Sequence, residues 1–400
     1  GSVMPYEWFS KNKQETILLL WLDNGGFVNP DNRIPLKMLG FLKSEVLSKF
    51  DRKYNFNIIG PFGSGALDTM YREVFALNEK DKKSKYYNNL EDTSFYVAAA
   101  TVDFEKVYPG RNNKNWLDQK IIRTIGTQDN LANLLLCELA LRGVTPYHVG
   151  TTTLSDNCSV RLSLDEFRHR EDDPPHHIVL IGERDTYYSQ QLTDTFLNAI
   201  KEFDVKKDQD KTPWVHTYSY LRGLDGITSE HAPSGHKESK NKSREQQANN
   251  TNAAEAREQM ERPVGPSQLD YLLNLAGQIK RLDKQYAHEG GIKAIGITGH
   301  DAYDKLLILQ ALRLQFPSIL FFTTDLDARF LHPSEIKWTR NLLVASPLGL
   351  QLNEDFQKKT PPFRENYQTS LFLATQLALC KDKEKDRKST RLNSSHANIS

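Results

Sequence analysis

The chain has 400 residues, with 52 Lys and Arg against 51 Asp and Glu and a net charge of +1. Hydrophobic residues make up 38% and aromatics 10%, enough for two lobes of ordinary domain size. The balanced charge argues against a nucleic-acid binder, which carries a basic excess. No apolar run approaches the ~18 residues that a bilayer span needs.

In chain order, the apolar pattern predicts strands over 17–22, 56–59, 95–100, 178–182, 214–218, 293–297, 319–323 and 342–345. Helical periods fall between them, over 36–50, 66–76, 131–142, 189–203, 268–286, 303–315 and 367–379. Strands buried on both faces read as near-continuous apolar runs, and "ILLLWL" over 17–22 and "IVLIG" over 178–182 do so. Strands alternating with helices call for parallel sheets joined by crossover helices. Two successive groups of this kind give an α/β chain of two doubly wound, Rossmann-like lobes. The boundaries follow as 14–145 for the first lobe, 146–324 for the second, and 325–385 for a return to the first.

Three polar stretches interrupt the pattern. Residues 228–262 contain no Ile, Leu, Val, Phe, Tyr or Trp. Such a segment cannot bury enough apolar surface to offset its ordering entropy and is expected to be a disordered insertion. Residues 78–89 and 208–213 read as polar loops. At the ends, Gly1 and Ser2 read as a cloning remnant, and 386–400 reads as translated sequencing adapter from a draft or metagenomic bacterial source. The natural protein is therefore expected to continue past about residue 385.

The segment "FNIIGPFGSGALDTM" over 56–70 is the most telling. An apolar strand runs into a glycine-rich turn and then into a helix. Glycine allows a sharp turn and close approach of a ligand. A helix start leaves N–H groups unpaired and presents partial positive charge, so this turn with Ser64 is suited to an anion. Ser64 is equally suited to capping the helix.

Four segments in order resemble type I periplasmic binding proteins, the two-lobed fold of leucine-binding proteins and receptor ligand-binding regions. They are "IIGPFGSGALDTM", "IIRTIGTQDNLANLLLCELALRGV" over 121–144, "HIVLIGERDTYYSQQLTDTFLNAI" over 177–200, and "GGIKAIGITGHDAYDKLLILQALRLQF" over 290–316. The resemblance spans about residues 14–380. It implies a ligand in an inter-lobe cleft beyond the carboxyl ends of the strands. It places Ser64 and Thr101 on the first-lobe wall and Tyr187 and Asp301 on the second. Hydroxyls and N–H groups would take a carboxylate, an aspartate an ammonium, and a ring the alkyl part. Their structural alternatives are a cap for Ser64, a strand end for Thr101, an interface ring for Tyr187 and an N-cap for Asp301.

The family reading implies non-catalytic binding of a small polar ligand, an amino acid or carboxylate. The module would be the sensory or solute-binding part of a larger protein, with a homodimer and a membrane or signalling partner as further options. No cofactor, metal or nucleic acid is implied, and an extracytoplasmic compartment is favoured over the cytoplasm. The polar stretches 145–175 and 228–262 depart from the family pattern and bear on the shape of the cleft.

Enzyme signatures are weaker. "GPFGSG" lacks the Gly-Lys-Ser/Thr ending of a phosphate loop, and no G-x-S-x-G or GxGxxG stands in place. His176, His177, His231, His236 and His300 give no metal spacing with carboxylates. Asp325 and Asp327 in "TTDLDARF" would serve a metal-dependent hydrolase or phosphate-transfer enzyme, or cap and neutralise beside Arg329. A third reading keeps the fold as a scaffold with a degenerate cleft. Cys137, Cys158 and Cys380 are scattered and are expected to be free buried thiols.

Overall fold

The computed structural model describes residues 6–11, 15–20, 35–47, 56–76, 85–103, 107–108, 116–149, 174–204, 206, 213–224, 265–379 and 398–399. The insertion read over 228–262 lies outside them. The chain forms two compact units, residues 1–130 with 347–398 and residues 131–346 with 399–400.

The elements run β1 (Tyr6–Lys11), β2 (Glu15–Leu20), α1 (Pro35–Leu47), β3 (Asn57–Ile59), α2 (Ser64–Ala76), α3 (Lys85–Asn88), β4 (Ser94–Val97), β5 (Ile121–Arg123) and α4 (Gln128–Leu141). They continue with β6 (His177–Glu183), α5 (Tyr187–Phe203), β7 (Val215–Tyr220), α6 (Gly265–Gln285), β8 (Ile292–Thr298), α7 (Ala302–Arg313), β9 (Leu320–Thr324), α8 (Ile336–Thr339), β10 (Leu342–Ser346), α9 (Glu354–Gln357), α10 (Asn366–Leu379) and β11 (Asn398–Ile399).

The first unit carries a three-stranded parallel sheet, β3-β4-β5, with Ile58 beside Phe95 and Phe95 beside Ile121. Helix α10 returns to this sheet late in the chain. Its Leu373, Ala374 and Leu377 pack with Tyr96 and Ala98 in one apolar cluster. Helix α1 is tied down from α2. The buried Glu73 carboxylate accepts the N–H groups of Leu36 at 2.8 Å and Lys37 at 3.0 Å, which the first turn of α1 leaves unpaired.

The apolar run expected as a both-faces-buried parallel strand over 17–22 has a different role. Its described part is β2, which pairs antiparallel with β1 in a two-stranded hairpin, Tyr6 opposite Leu20. Only residues 12–14 separate the two strands, too few for the crossover that parallel pairing requires. Trp21 and Leu22 lie outside the described residues.

The second unit is built on a larger parallel sheet in the order β10-β9-β8-β6-β7, with the two-residue β11 beyond β10. Every residue of β6 and of β10 is buried, as continuous apolar strands covered on both faces require. The core beneath joins Ile178, Leu180, Phe196, Phe203, Phe322 and Leu343, with Phe196 and Phe322 stacked at 5.5 Å between ring centres.

One cysteine departs from the expectation of free thiols. Cys137, on α4, is disulfide-bonded. The second sulfur belongs to a cysteine outside the described residues, and the sequence spacing carries no sign of the pair.

Two glycines give opposite expectations. A Cβ on Gly296 in β8 would stand 2.3 Å from the Phe322 ring and 2.9 Å from Leu180. Gly296→Ala is expected to lower stability by about 1–3 kcal/mol through overpacking. Gly277, within α6, has nothing within 4 Å of the same position. Gly277→Ala is expected to raise stability by roughly 0.5–1 kcal/mol. Urea denaturation of both variants checks the pair; equal effects would contradict the packing described.

Candidate functional site

In the first unit, the carboxyl ends of β3, β4 and β5 gather the sequence-predicted residues. Gly60 ends β3 with φ of 141°, a region that glycine tolerates and other residues avoid. Its N–H donates to the Tyr96 carbonyl at 2.9 Å, which holds the turn against β4. Phe62 stands out from that turn, 44% exposed. Ser64 opens α2 and is buried; its hydroxyl accepts the Val102 N–H at 3.4 Å.

Thr101 lies beside Val102 and is fully buried, and its hydroxyl has no hydrogen-bond partner among the described residues. Its carbonyl accepts the Gln128 N–H at 2.9 Å, which ties the loop after β4 to the start of α4. Arg123 holds the same loop, donating to the carbonyls of Ala100 at 2.7 Å and Val102 at 2.9 Å. Arg123 stood in a motif segment, yet nothing in the local pattern showed that its guanidinium reaches back to the β4 exit.

In the second unit, strand order decides the geometry. β6 has β7 on one side and β8 on the other, so the chain winds outward in both directions from β6. At such a switch point the loops leaving two neighbouring strands part and leave a crevice at their carboxyl ends. Tyr187, at the start of α5, follows β6, and Asp301, just before α7, follows β8, the two strands that flank this point. Tyr187 is half-buried at the first turn of α5. Asp301 is the N-cap of α7, accepting the Tyr303 N–H at 2.7 Å.

Behind these residues lies a buried polar cluster. Glu183, the last residue of β6, accepts the His300 N–H at 2.8 Å through Oε2, while its Oε1 has no partner among the described residues. The buried Tyr220 hydroxyl, at the end of β7, likewise has none. Burial, with the negative charges of Glu183, Asp304 and Asp301 around it, pushes the Tyr220 phenol well up. Lys305 on α7 is 1% exposed; its ammonium donates to the Thr324 carbonyl at 2.7 Å and stands 4.0 Å from Asp325. Burial holds Lys305 below the usual lysine range, and the neighbouring carboxylates act against that shift.

The aspartate pair after β9 is engaged. Asp325, at φ of 62°, accepts hydrogen bonds from the Tyr188 and Thr324 hydroxyls. Asp327 caps the short 3-10 turn Ala328–Leu331 by accepting the Arg329 N–H, with the Arg329 guanidinium 3.8 Å away. Among the described residues no group of three His, Cys, Asp or Glu is placed to hold a metal ion. His177 lies at the amino end of β6, between His216 and Glu289 at 2.9 Å each, away from the strand exits.

Neither a family model nor a curated protein matches the sequence. Solved structures do. One is an ABC transporter substrate-binding protein from Desulfitobacterium hafniense, 11% identical with a TM-score of 0.39, over 90% of this chain and 74% of that one. Another is a leucine-, isoleucine-, valine-, threonine- and alanine-binding protein from Brucella ovis, 11% identical with a TM-score of 0.42, over 84% of this chain and 61% of the other. A third is a solute-binding protein from R. palustris in complex with benzoate, 9% identical with a TM-score of 0.42, over 92% and 73%. The likeness is one of fold.

Asp304 supplies a pH signature. Its buried carboxylate accepts the N–H groups of Gly223 at 2.9 Å and Leu224 at 2.8 Å. Burial outweighs those bonds and raises its pKa above 3.8. The folded state therefore holds this proton more tightly than the unfolded chain, and stability falls as pH rises above 3.8 toward the folded value. The stability of the wild type relative to Asp304→Asn is expected to decline over that rise. Denaturant titrations at stepped pH check this; a constant difference would contradict it.

Proposed function

We propose that the chain is a non-catalytic solute-binding module that holds a small polar ligand, an amino acid or carboxylate, at the carboxyl ends of its parallel strands. One observation carries the reading. Tyr187, the first residue of α5, and Asp301, the N-cap of α7, follow the two strands that flank the switch point of the second sheet, where open α/β sheets take their ligands.

The residues at the strand ends suit such a ligand. In the second unit, Asp301 spends one interaction on its cap and retains acceptor capacity for an ammonium. Tyr187 offers an aromatic face for an alkyl group. In the first unit, Ser64 and Thr101 bring hydroxyls and the Gly60–Ser64 turn brings the start of α2, a setting suited to a carboxylate.

The engaged state of Asp325 and Asp327 weighs against the metal-dependent alternative. Their carboxylates already serve Tyr188, Thr324 and the Arg329 turn. The oxidised Cys137 fits the extracytoplasmic compartment favoured from the sequence, because structural disulfides persist where the medium is oxidising. Alkylation of the unfolded native protein without reductant is expected to leave Cys137 unlabelled; full labelling would remove that support. Among the described residues no helix is long and apolar enough to cross a membrane.

The binding reading is tested by thermal unfolding against amino acids, small carboxylates, sugars, nucleotides and divalent metals. A ligand at ~100 times its dissociation constant adds about 2.7 kcal/mol. The expected hits are amino acids or carboxylates, with the shift lost in Ser64→Ala and in Tyr187→Ala while both variants stay folded. Unchanged affinity in both variants would sink the site assignment. A shift with metal alone would favour the enzyme reading, and no shift in a ligand-free preparation would favour the scaffold.

A further inference from the structure

A second feature of the 131–346 unit stands apart from the strand exits. A cavity of about 840 Å³ opens at the amino ends of its strands, a size within the range of small-molecule sites. Its floor is the start of β9 and β10, with Leu320, Leu342 and Val344 among its lining. The link between those two strands supplies a wall, through Leu326 and Phe330.

The lining is as polar as it is apolar, with Ser318, Thr339 and Asn341 beside the leucines and basic groups around them. Arg142, Lys293 and His176 line the cavity, and no Asp or Glu does so among the described residues. Lys293 is half-buried near the start of β8, with its ammonium close over Gly290, and no ion pair ties it among the described residues. Arg142, just past α4, pairs with Glu138 through one terminal nitrogen, Nη1. A guanidinium carries further donors that the bond leaves over. His176 accepts the Thr145 N–H at its Nδ1 at 3.1 Å, which leaves the ring proton of the neutral form on Nε2.

We infer that this cavity binds an apolar monocarboxylate, its chain along Leu320, Leu342 and Phe330 and its carboxylate between Lys293 and Arg142. An apolar chain with one negative end matches the Leu320, Leu342 and Phe330 part of the wall and the basic groups beside it. A cation of the same shape would meet the Lys293 ammonium with no acid in the lining to offset it, which disfavours it. This site is separate from the one proposed at the strand exits, whose residues Tyr187 and Asp301 do not line the cavity.

Calorimetric titration of the full-length chain with sodium octanoate tests the assignment, with octylamine as the opposite-charge control. Octanoate is expected to bind and octylamine not to bind. Lys293→Met is expected to weaken octanoate about tenfold or more, as loss of a charge-assisted contact does, and Lys293→Arg to retain it. Ser64→Ala and Tyr187→Ala are expected to leave octanoate affinity unchanged, which separates this inference from the strand-exit reading. Absence of octanoate binding to the wild type would overturn it. So would wild-type affinity in both Lys293→Met and Arg142→Met, or loss of octanoate binding in Ser64→Ala.

Discussion

The molecule depends on one constraint: a parallel strand covered on both faces has to be apolar throughout and has to hand its polar work to its ends. β6 and β10 show it most plainly, with every residue buried. Such strands have no wet face on which to place functional groups. The polar side chains of the second unit therefore collect where the strands stop, at Glu183, Thr298, Thr324 and Ser346. The loops that leave those ends carry further polar groups, and they diverge around β6.

Polar satisfaction shapes those ends as strongly as packing shapes the core. Lys305 would be costly as an isolated buried ammonium, and it is met by the Thr324 carbonyl and by Asp325. Asp325 in turn meets the Tyr188 hydroxyl, so α5, α7 and the β9 exit are joined through one polar chain. Asp304 fastens the β7 exit to α7 by taking two backbone N–H groups. The result is a set of strand exits held by side chains from neighbouring helices, which suits recognition by pre-placed groups.

Much of this fold was legible in the sequence, for physical reasons. β6, β8, β9 and β10 are continuous apolar runs, and each lies within one residue at either end of its expected span. The helices declared themselves by their apolar period, and α10 begins at Asn366, within one residue of its expected start. Short or differently paired strands were harder to see. β5 has three residues, and β1 owes its strand state to β2 across a tight link. The site divides in the same way. The cap at Asp301 is a contact between near neighbours and was readable from local spacing. The Glu183–His300 and Tyr188–Asp325 contacts join residues 117 and 137 positions apart, and no local pattern reports them.

The central claim is that ligand recognition resides at the carboxyl ends of the strands. Hydrogen exchange read by mass spectrometry tests it directly, comparing the free protein with the protein in a mixture of the common L-amino acids. Slower exchange is predicted in peptides covering 60–67, 101–103, 184–190 and 299–304, with the amino ends of the same strands unchanged. Protection confined to other segments, in a sample whose melting temperature rises with the mixture, would contradict the account.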